Sequence, residues 1–325
     1  MENIEFEDRL NIKEVKEKID AIRNEIHKVI VGQDQIIDQI LTALLANGHI
    51  LLEGVPGVAK TLLAKCLSKT INTNFSRIQF TPDLMPSDVL GTSIFDAGQS
   101  KFTFKSGPIF SNFILIDEIN RSPAKTQAAL FEVMEEKQVT VDGTTYKMQQ
   151  PFIVIATQNP VEQEGTYRLP EAQLDRFLFK INVQYPKLND EIELIKLEHS
   201  LDKSNKVDKI TPVVTASEII KIQEIAKQVI VEENLIHYIA QIVIETRENP
   251  LIYLGASPRA SIAILNAAKA NAVIRGRDFL TPDDIKDVVA PILNHRIIIS
   301  PDKEMEGLTA DKIVKQIIDK IELPR

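Results

Sequence analysis

The stretch Leu51-Leu52-Glu53-Gly54-Val55-Pro56-Gly57-Val58-Ala59-Lys60-Thr61 constrains the fold more than any other. It predicts a buried strand, a glycine-containing turn and a helix opening at Lys60-Thr61. A triphosphate needs that arrangement. Backbone N–H groups and a helix N-terminus face the anion, a lysine adds a mobile positive charge, and a threonine hydroxyl can hold Mg²⁺. The strict pattern places glycine directly before the lysine, where this chain has Ala59. Alanine fits if the chain already has negative φ on entering the helix, so any strain is expected at Gly54 and Gly57.

Two further apolar runs, Phe113-Ile114-Leu115-Ile116 and Phe152-Ile153-Val154-Ile155-Ala156, lack polar alternation. Strands covered on both faces read this way, as in a parallel sheet flanked by helices. Ligands of such sheets sit beyond the carboxyl ends of the strands, so three strand ends are expected to share one crevice. Ahead of the loop, Ile12, Val15, Ile19, Ile22, Ile26 and Val29 define one helical face. Val31-Gly32-Gln33-Asp34 breaks it, and a second helix follows. Val139 to Tyr146 alternates around Asp142-Gly143, the strongest short hairpin signal. Residues 92–104 suggest a second hairpin around Asp96-Ala97-Gly98-Gln99.

After Tyr185-Pro186 the pattern turns almost wholly helical. Thr215 to Glu218 reads as a capping box, and Ser257-Pro258 and Thr281-Pro282 place capping residues before a proline at the first helical position. The polar segment around 201–209 reads as a loop. The expected architecture is an α/β core over residues 1–186 and a smaller helical domain over 187–325.

Asp117-Glu118 follow a buried run, about where a metal-assisted hydrolysis needs two acids. Asp117 can support a Mg²⁺ shell and Glu118 can polarise the attacking water. Asn159 ends the next run, where an amide can bond a terminal phosphate and the lytic water. Arg176 and Arg259 are candidates for stabilising charge on transferring phosphoryl oxygens. Arg176 could equally pair with Asp175 or Glu171 at the surface. Arg259 follows a predicted helix N-terminus, which favours anions.

With 325 residues the chain suits two domains, and its net charge of −8 argues against a nucleic-acid partner. Cys66, the only cysteine, excludes an internal disulfide and reads as core filler. The five scattered histidines read as structural. No apolar run approaches membrane-spanning length and the acidic start does not read as a secretory signal, which leaves the cytoplasm as the expected location.

Taken together, residues 54–61, Ile116 to Arg121, Ala156 to Pro160, Gly165-Thr166-Tyr167 and Leu169 to Phe177 resemble the MoxR family of AAA+ ATPases. The resemblance is dense from about Ile30 to Pro186 and thinner beyond, where Ser257-Pro258-Arg259 anchors it. It implies an AAA+ P-loop core with a helical lid, and ATP and Mg²⁺ as cofactors. Nucleotide would lie on Gly54, Val55, Pro56, Gly57, Val58, Ala59, Lys60, Thr61 and Leu62, with Val31, Gly32 and Gln33 flanking the adenine. Thr61 and Asp117 would hold the metal and Glu118 would be the base. Asn159 would be sensor 1. Arg259 would be sensor 2, reaching the γ-phosphate from the lid, and Arg176 the finger that completes a neighbour's site; Arg121 and Arg168 are rivals for that last role. The hairpins near 92–104 and 139–147 would be the helix-2 insert and the pre-sensor-1 hairpin. The resemblance also implies a hexameric ring with chaperone-like activity, often working with a von Willebrand factor A domain partner.

Overall fold

The computed structural model of the chain describes residues 12–323 except 56, 99, 160–166, 168 and 201–205. Helices α1 (Ile12–His27) and α2 (Asp34–Leu45) lead into strand β1 (His49–Gly54) and helix α3 (Lys60–Thr70). Then come β2 (Phe75–Gln79), α4 (Pro86–Leu90), β3 (Gly91–Asp96), β4 (Lys101–Ser106) and β5 (Phe113–Asp117). A 3₁₀ turn at Ile119–Arg121 opens onto α5 (Ala124–Glu136), β6 (Gln138–Val141), β7 (Thr144–Lys147) and β8 (Ile153–Gln158). Short α6 (Glu171–Leu174) precedes β9 (Phe177–Val183). From there the chain is mostly helical: α7 (Leu188–Ser200), α8 (Ala216–Lys227), α9 (Glu233–Glu248), α10 (Pro258–Ile274), α11 (Pro282–Leu293), α12 (Pro301–Met305) and α13 (Ala310–Lys320). Two short strands, β10 (Ile252–Leu254) and β11 (Ile298–Ile299), pair within this region, which the sequence marks as almost wholly helical without signalling a strand.

The main sheet has the order β2-β5-β8-β1-β9 and all its pairings are parallel. Period-two alternation explains why the middles of its central strands are continuous apolar runs. Ile50, Leu52, Phe113, Leu115, Ile153 and Ile155 enter one buried cluster with α1, α2 and α3. Their neighbours Leu51, Ile114, Ile116, Val154 and Ala156 enter a second cluster on the other face with α5. Each of these side chains meets a helix layer, so none of these positions tolerates a charge cheaply.

The first cluster does not stop at the sheet domain. It runs on through Ile219, Ile222, Ile239, Ile264, Val289 and Ile313 of the helical region. Polar staples reinforce this joint. Gln223 donates to the Leu44 carbonyl at 2.7 Å, and Val213 and Val214 donate to the Thr70 carbonyl. Arg296, just past α11, is 4% exposed at its side chain and donates to the Asp175 carboxylate at 2.7 Å. It also bonds the carbonyls of Asp175, Phe177, Leu178 and Ile292. A guanidinium that deep survives only because its donors are filled.

Both expected hairpins form. β6 and β7 turn through Asp142 and Gly143 at φ 49° and 77°, and β3 and β4 pair from Gly91 with Ser106 to Asp96 with Lys101. A Phe104–Tyr146 ring stack at 4.4 Å joins the two hairpins. The capping boxes at Thr215/Glu218 and Thr281/Asp284 are present, whereas Ser257 makes no side-chain cap and Pro258 alone marks that helix start. Cys66 is fully buried, and burial pushes its thiol up to about 11.

Candidate nucleotide site

The carboxyl ends of β5, β8 and β1 lie side by side, as the sequence predicts. Between β1 and α3 the backbone makes the turn that a phosphate loop requires. Gly57 has φ 88°, which a side-chain-bearing residue resists, and a Cβ on Gly54 would lie 2.5 Å from the Val183 carbonyl. Ala59 departs from expectation. Its φ is +60° and its ψ 19°, left-handed rather than helical. The chain crosses into the left-handed region one residue before α3, and Ala59 bears the strain that glycine would avoid. Pro56 lies outside the described residues.

Lys60 points back along the loop and donates to the Gly54 carbonyl at 2.7 Å. Partial burial lowers its pKa, while Asp117, Glu118 and Glu53 pull it back up. Thr61 and Leu62 follow in the first turn of α3 and Val58 is buried beneath. Val31, Gly32 and Gln33 sit beside the loop: the Gln33 amide reaches the Val58 carbonyl at 3.4 Å, and the Asp190 carboxylate of α7 lies over Gly32. Val55 packs against the core edge.

Asp117 closes β5 and is buried; Glu118 follows with φ 58°. Strand β2, which sequence reading passed over, holds both acids. Arg77 Nε donates to Asp117 Oδ2 at 2.6 Å, and Gln79 Nε2 donates to Glu118 Oε2 at 2.8 Å. From the other side, the Thr157 hydroxyl of β8 meets Asp117 Oδ1 at 3.2 Å and the Glu118 N–H at 3.0 Å. Asn159 is buried one residue past β8. Tyr167 is described and half exposed, while Gly165, Thr166 and Arg168 lie outside the described residues.

The donor set suits magnesium. A hydroxyl and a carboxylate are hard oxygen ligands, and magnesium takes one or two carboxylates and fills its shell with water and phosphate oxygens. Thr61 and Asp117 would hold the ion, which would neutralise charge on the β- and γ-phosphates.

The two arginines do not join this group. Arg176 pairs with Glu135 and donates to the Phe131 carbonyl at 3.3 Å. Neither Asp175 nor Glu171 is its carboxylate partner in the pairs described. Arg259, at the start of α10, reaches the same Glu135 at 3.3 Å and Asp175 at 3.9 Å. Register shows where this cluster lies. His49 faces Phe177, and Gly54 faces Val183. The arginines therefore sit at the strand-start edge, and the rise of β1 from His49 to Gly54 is about 16 Å at ~3.3 Å per residue. Arg259, expected to reach the γ-phosphate from the lid, is here paired with Glu135 and Asp175 and not with the phosphate loop of its own chain.

A parallel sheet with a phosphate loop after β1, paired acids after β5, an asparagine after β8 and a helical lid defines an ATPase of the AAA+ class. Comparisons agree. Residues 49–179 match the model for the ATPase family associated with various cellular activities (AAA), and residues 244–317 match an AAA lid domain. YeaC of Bacillus subtilis is 47% identical over 92% of this chain and 92% of its own. Chaperone MoxR1 of Mycobacterium tuberculosis is 42% identical over 93% of this chain and 81% of its own. A crystal structure of an ATPase candidate from Cytophaga hutchinsonii superposes with a TM-score of 0.90 at 44% identity, covering 97% of both chains. The chain belongs to the MoxR family of AAA+ ATPases. Its reaction is hydrolysis of ATP.

Sequence reading missed Arg77, Gln79, Thr157, Glu135 and Arg296. None carries a local signal, because each matters through a partner distant along the chain.

Proposed function

We propose that this ATPase works as an oligomer, a hexameric ring on the family pattern, in which Arg176 and Arg259 of one copy complete the nucleotide site of the next. The observation that carries the reading is the gathering of both arginines at the edge remote from the phosphate loop of their own chain. Two guanidiniums held together have a natural use on a polyanion, and a neighbouring copy supplies one. Lys60 and the loop amides hold the phosphates, Glu118 takes the proton of the attacking water, and Asn159 orients that water against the terminal phosphate. Thr61 and Asp117 hold Mg²⁺.

Hydrolysis is coupled to chaperone-like remodelling of a partner protein in the cytoplasm. The relative named Chaperone MoxR1 supports this. The exposed Phe95–Phe102 ring pair, 5.3 Å apart on the β3–β4 hairpin, offers an apolar contact for a client. A partner with a von Willebrand factor A domain rests on the family resemblance.

Specific activity measured against protein concentration tests the shared site, with mass by light scattering in ATP. Activity that rises as the chain assembles is expected. A flat profile from a monodisperse monomer overturns the reading. Capture of partners on ATP-loaded Glu118→Gln protein tests the remodelling role.

A further inference from the structure

Thr157 has no place in the roles assigned so far, yet its hydroxyl touches both acids of the site. It lies on β8, is 3% exposed, and pairs in register with Leu52 of the strand that feeds the phosphate loop. A threonine hydroxyl has one hydrogen to give and two lone pairs to receive. Here the Glu118 N–H donates to Oγ1 at 3.0 Å, which leaves the single hydroxyl hydrogen to point at Asp117 Oδ1, 3.2 Å away. The relay therefore runs one way, from the backbone of Glu118 through Thr157 to the Asp117 carboxylate.

The two ends of that relay are unusual. Glu118 holds a left-handed backbone at φ 58°, a conformation that persists only where surroundings over-determine it. Its N–H bond to Thr157 is one such restraint, and it sets the direction in which the glutamate side chain leaves the strand. Asp117 has its other oxygen on Arg77 at 2.6 Å, so the Thr157 bond fixes the second edge of the carboxylate and hence its plane.

We propose that Thr157 is a positioning residue for ATP hydrolysis, its hydroxyl locking the carboxylate plane of Asp117 and the backbone turn of Glu118 into one unit. The proposal rests on the reading of Asp117 as metal support and Glu118 as base. Small errors in the placement of such groups are expensive: a displacement of ~1 Å can cost about 100-fold in rate, and loss of a partner behind a metal ligand costs about 10- to 100-fold in affinity or activity.

The test compares full-length wild type with Thr157→Val, which keeps the shape and the strand preference but removes the hydroxyl, and Thr157→Ser, which keeps the hydroxyl. Asp117→Asn and Glu118→Gln are run beside them. The readouts are kcat, KM, and equilibrium affinity for a fluorescent ADP with Mg²⁺ and with EDTA. Thr157→Val is expected to lose about 10- to 100-fold in kcat and most of the Mg²⁺-dependent gain in ADP affinity, with affinity in EDTA unchanged. Thr157→Ser is expected to restore both. Wild-type turnover and Mg²⁺ response in Thr157→Val, or equal damage in Thr157→Ser, overturns the role of Thr157 while slow Asp117→Asn and Glu118→Gln proteins leave the acids in place. Fast turnover in those two removes the acids from their roles, and Thr157 with them. Should Thr157→Val not fold, Thr157→Ala replaces it in the same comparison with Thr157→Ser.

Discussion

Gln79 and Arg121 meet on one oxygen of Glu118. The amide donates to Oε2 at 2.8 Å and the guanidinium lies 3.3 Å from the same atom. Two donors on one oxygen take up its lone pairs and hold the carboxylate in place, so the resting chain restrains its own base. Gln79→Ala is expected to raise basal ATP turnover several-fold without changing ATP affinity. Glu118→Gln is expected to bind ATP normally and lose about 10²- to 10⁴-fold in turnover. Steady-state kinetics with a nucleotide-binding assay checks both; slower turnover in Gln79→Ala would show that the contact supports the base.

The arginine cluster predicts complementation. Arg176→Ala and Arg259→Ala should each bind ATP and lose hydrolysis, by about 10³-fold on the scale of arginine fingers. Mixed with Glu118→Gln subunits, Arg176→Ala subunits should recover activity, because an intact acid pair then faces an intact arginine. Mixtures no more active than their separate components would place Arg176 outside the shared site.

Ala59 carries strain that glycine would relieve. A left-handed alanine costs about 1–2 kcal/mol, against about 0.4–1 kcal/mol for the extra freedom glycine gives the unfolded chain. Ala59→Gly is therefore expected to stabilise the protein by about 0.5–1 kcal/mol in denaturant titrations without nucleotide. Lower stability would mean that the alanine methyl packs well enough to outweigh its backbone.

His49 makes stability depend on pH. Its Nδ1 accepts the Val154 N–H at 3.0 Å and its Nε2 donates to the Met134 carbonyl at 3.0 Å, so the folded ring is neutral. Burial lowers its pKa from 6.5 to about 4. A group that binds protons more weakly when folded supports the native state at high pH, and its support is lost as pH falls from about 6.5 toward 4. The loss is about 3 kcal/mol. Buried His295, also lowered, acts in the same direction. Denaturant unfolding across this range should show the decline, and His49→Gln, whose amide offers one donor and one acceptor, should flatten it.

The central strands and the phosphate loop were legible because they are local. Phe113 to Ile116 and Phe152 to Ala156 announce two-sided burial in their own composition, and Asp142-Gly143 announces its turn. Edge strand β2 was not, since Phe-Ser-Arg-Ile-Gln buries only Ile78 and leaves no apolar run. That strand carries Arg77 and Gln79, so the partners of both acids were hidden with it. The backbone of Ala59 was misjudged because negative φ was assigned from the helix that follows, whereas the turn before it governs. Convergence of Arg176 and Arg259 on Glu135 joins three distant segments, and no spacing rule encodes it.

The burial of Arg296 has a mechanical consequence. A guanidinium bonded to four backbone carbonyls and one carboxylate rivets the C-terminal helices to the first residues of β9. Opening that joint within one chain would strip a buried guanidinium of its partners. In the ring proposed above, each copy is then expected to turn as a solid piece when a phosphate is lost, which would put the working joint at the seam between subunits.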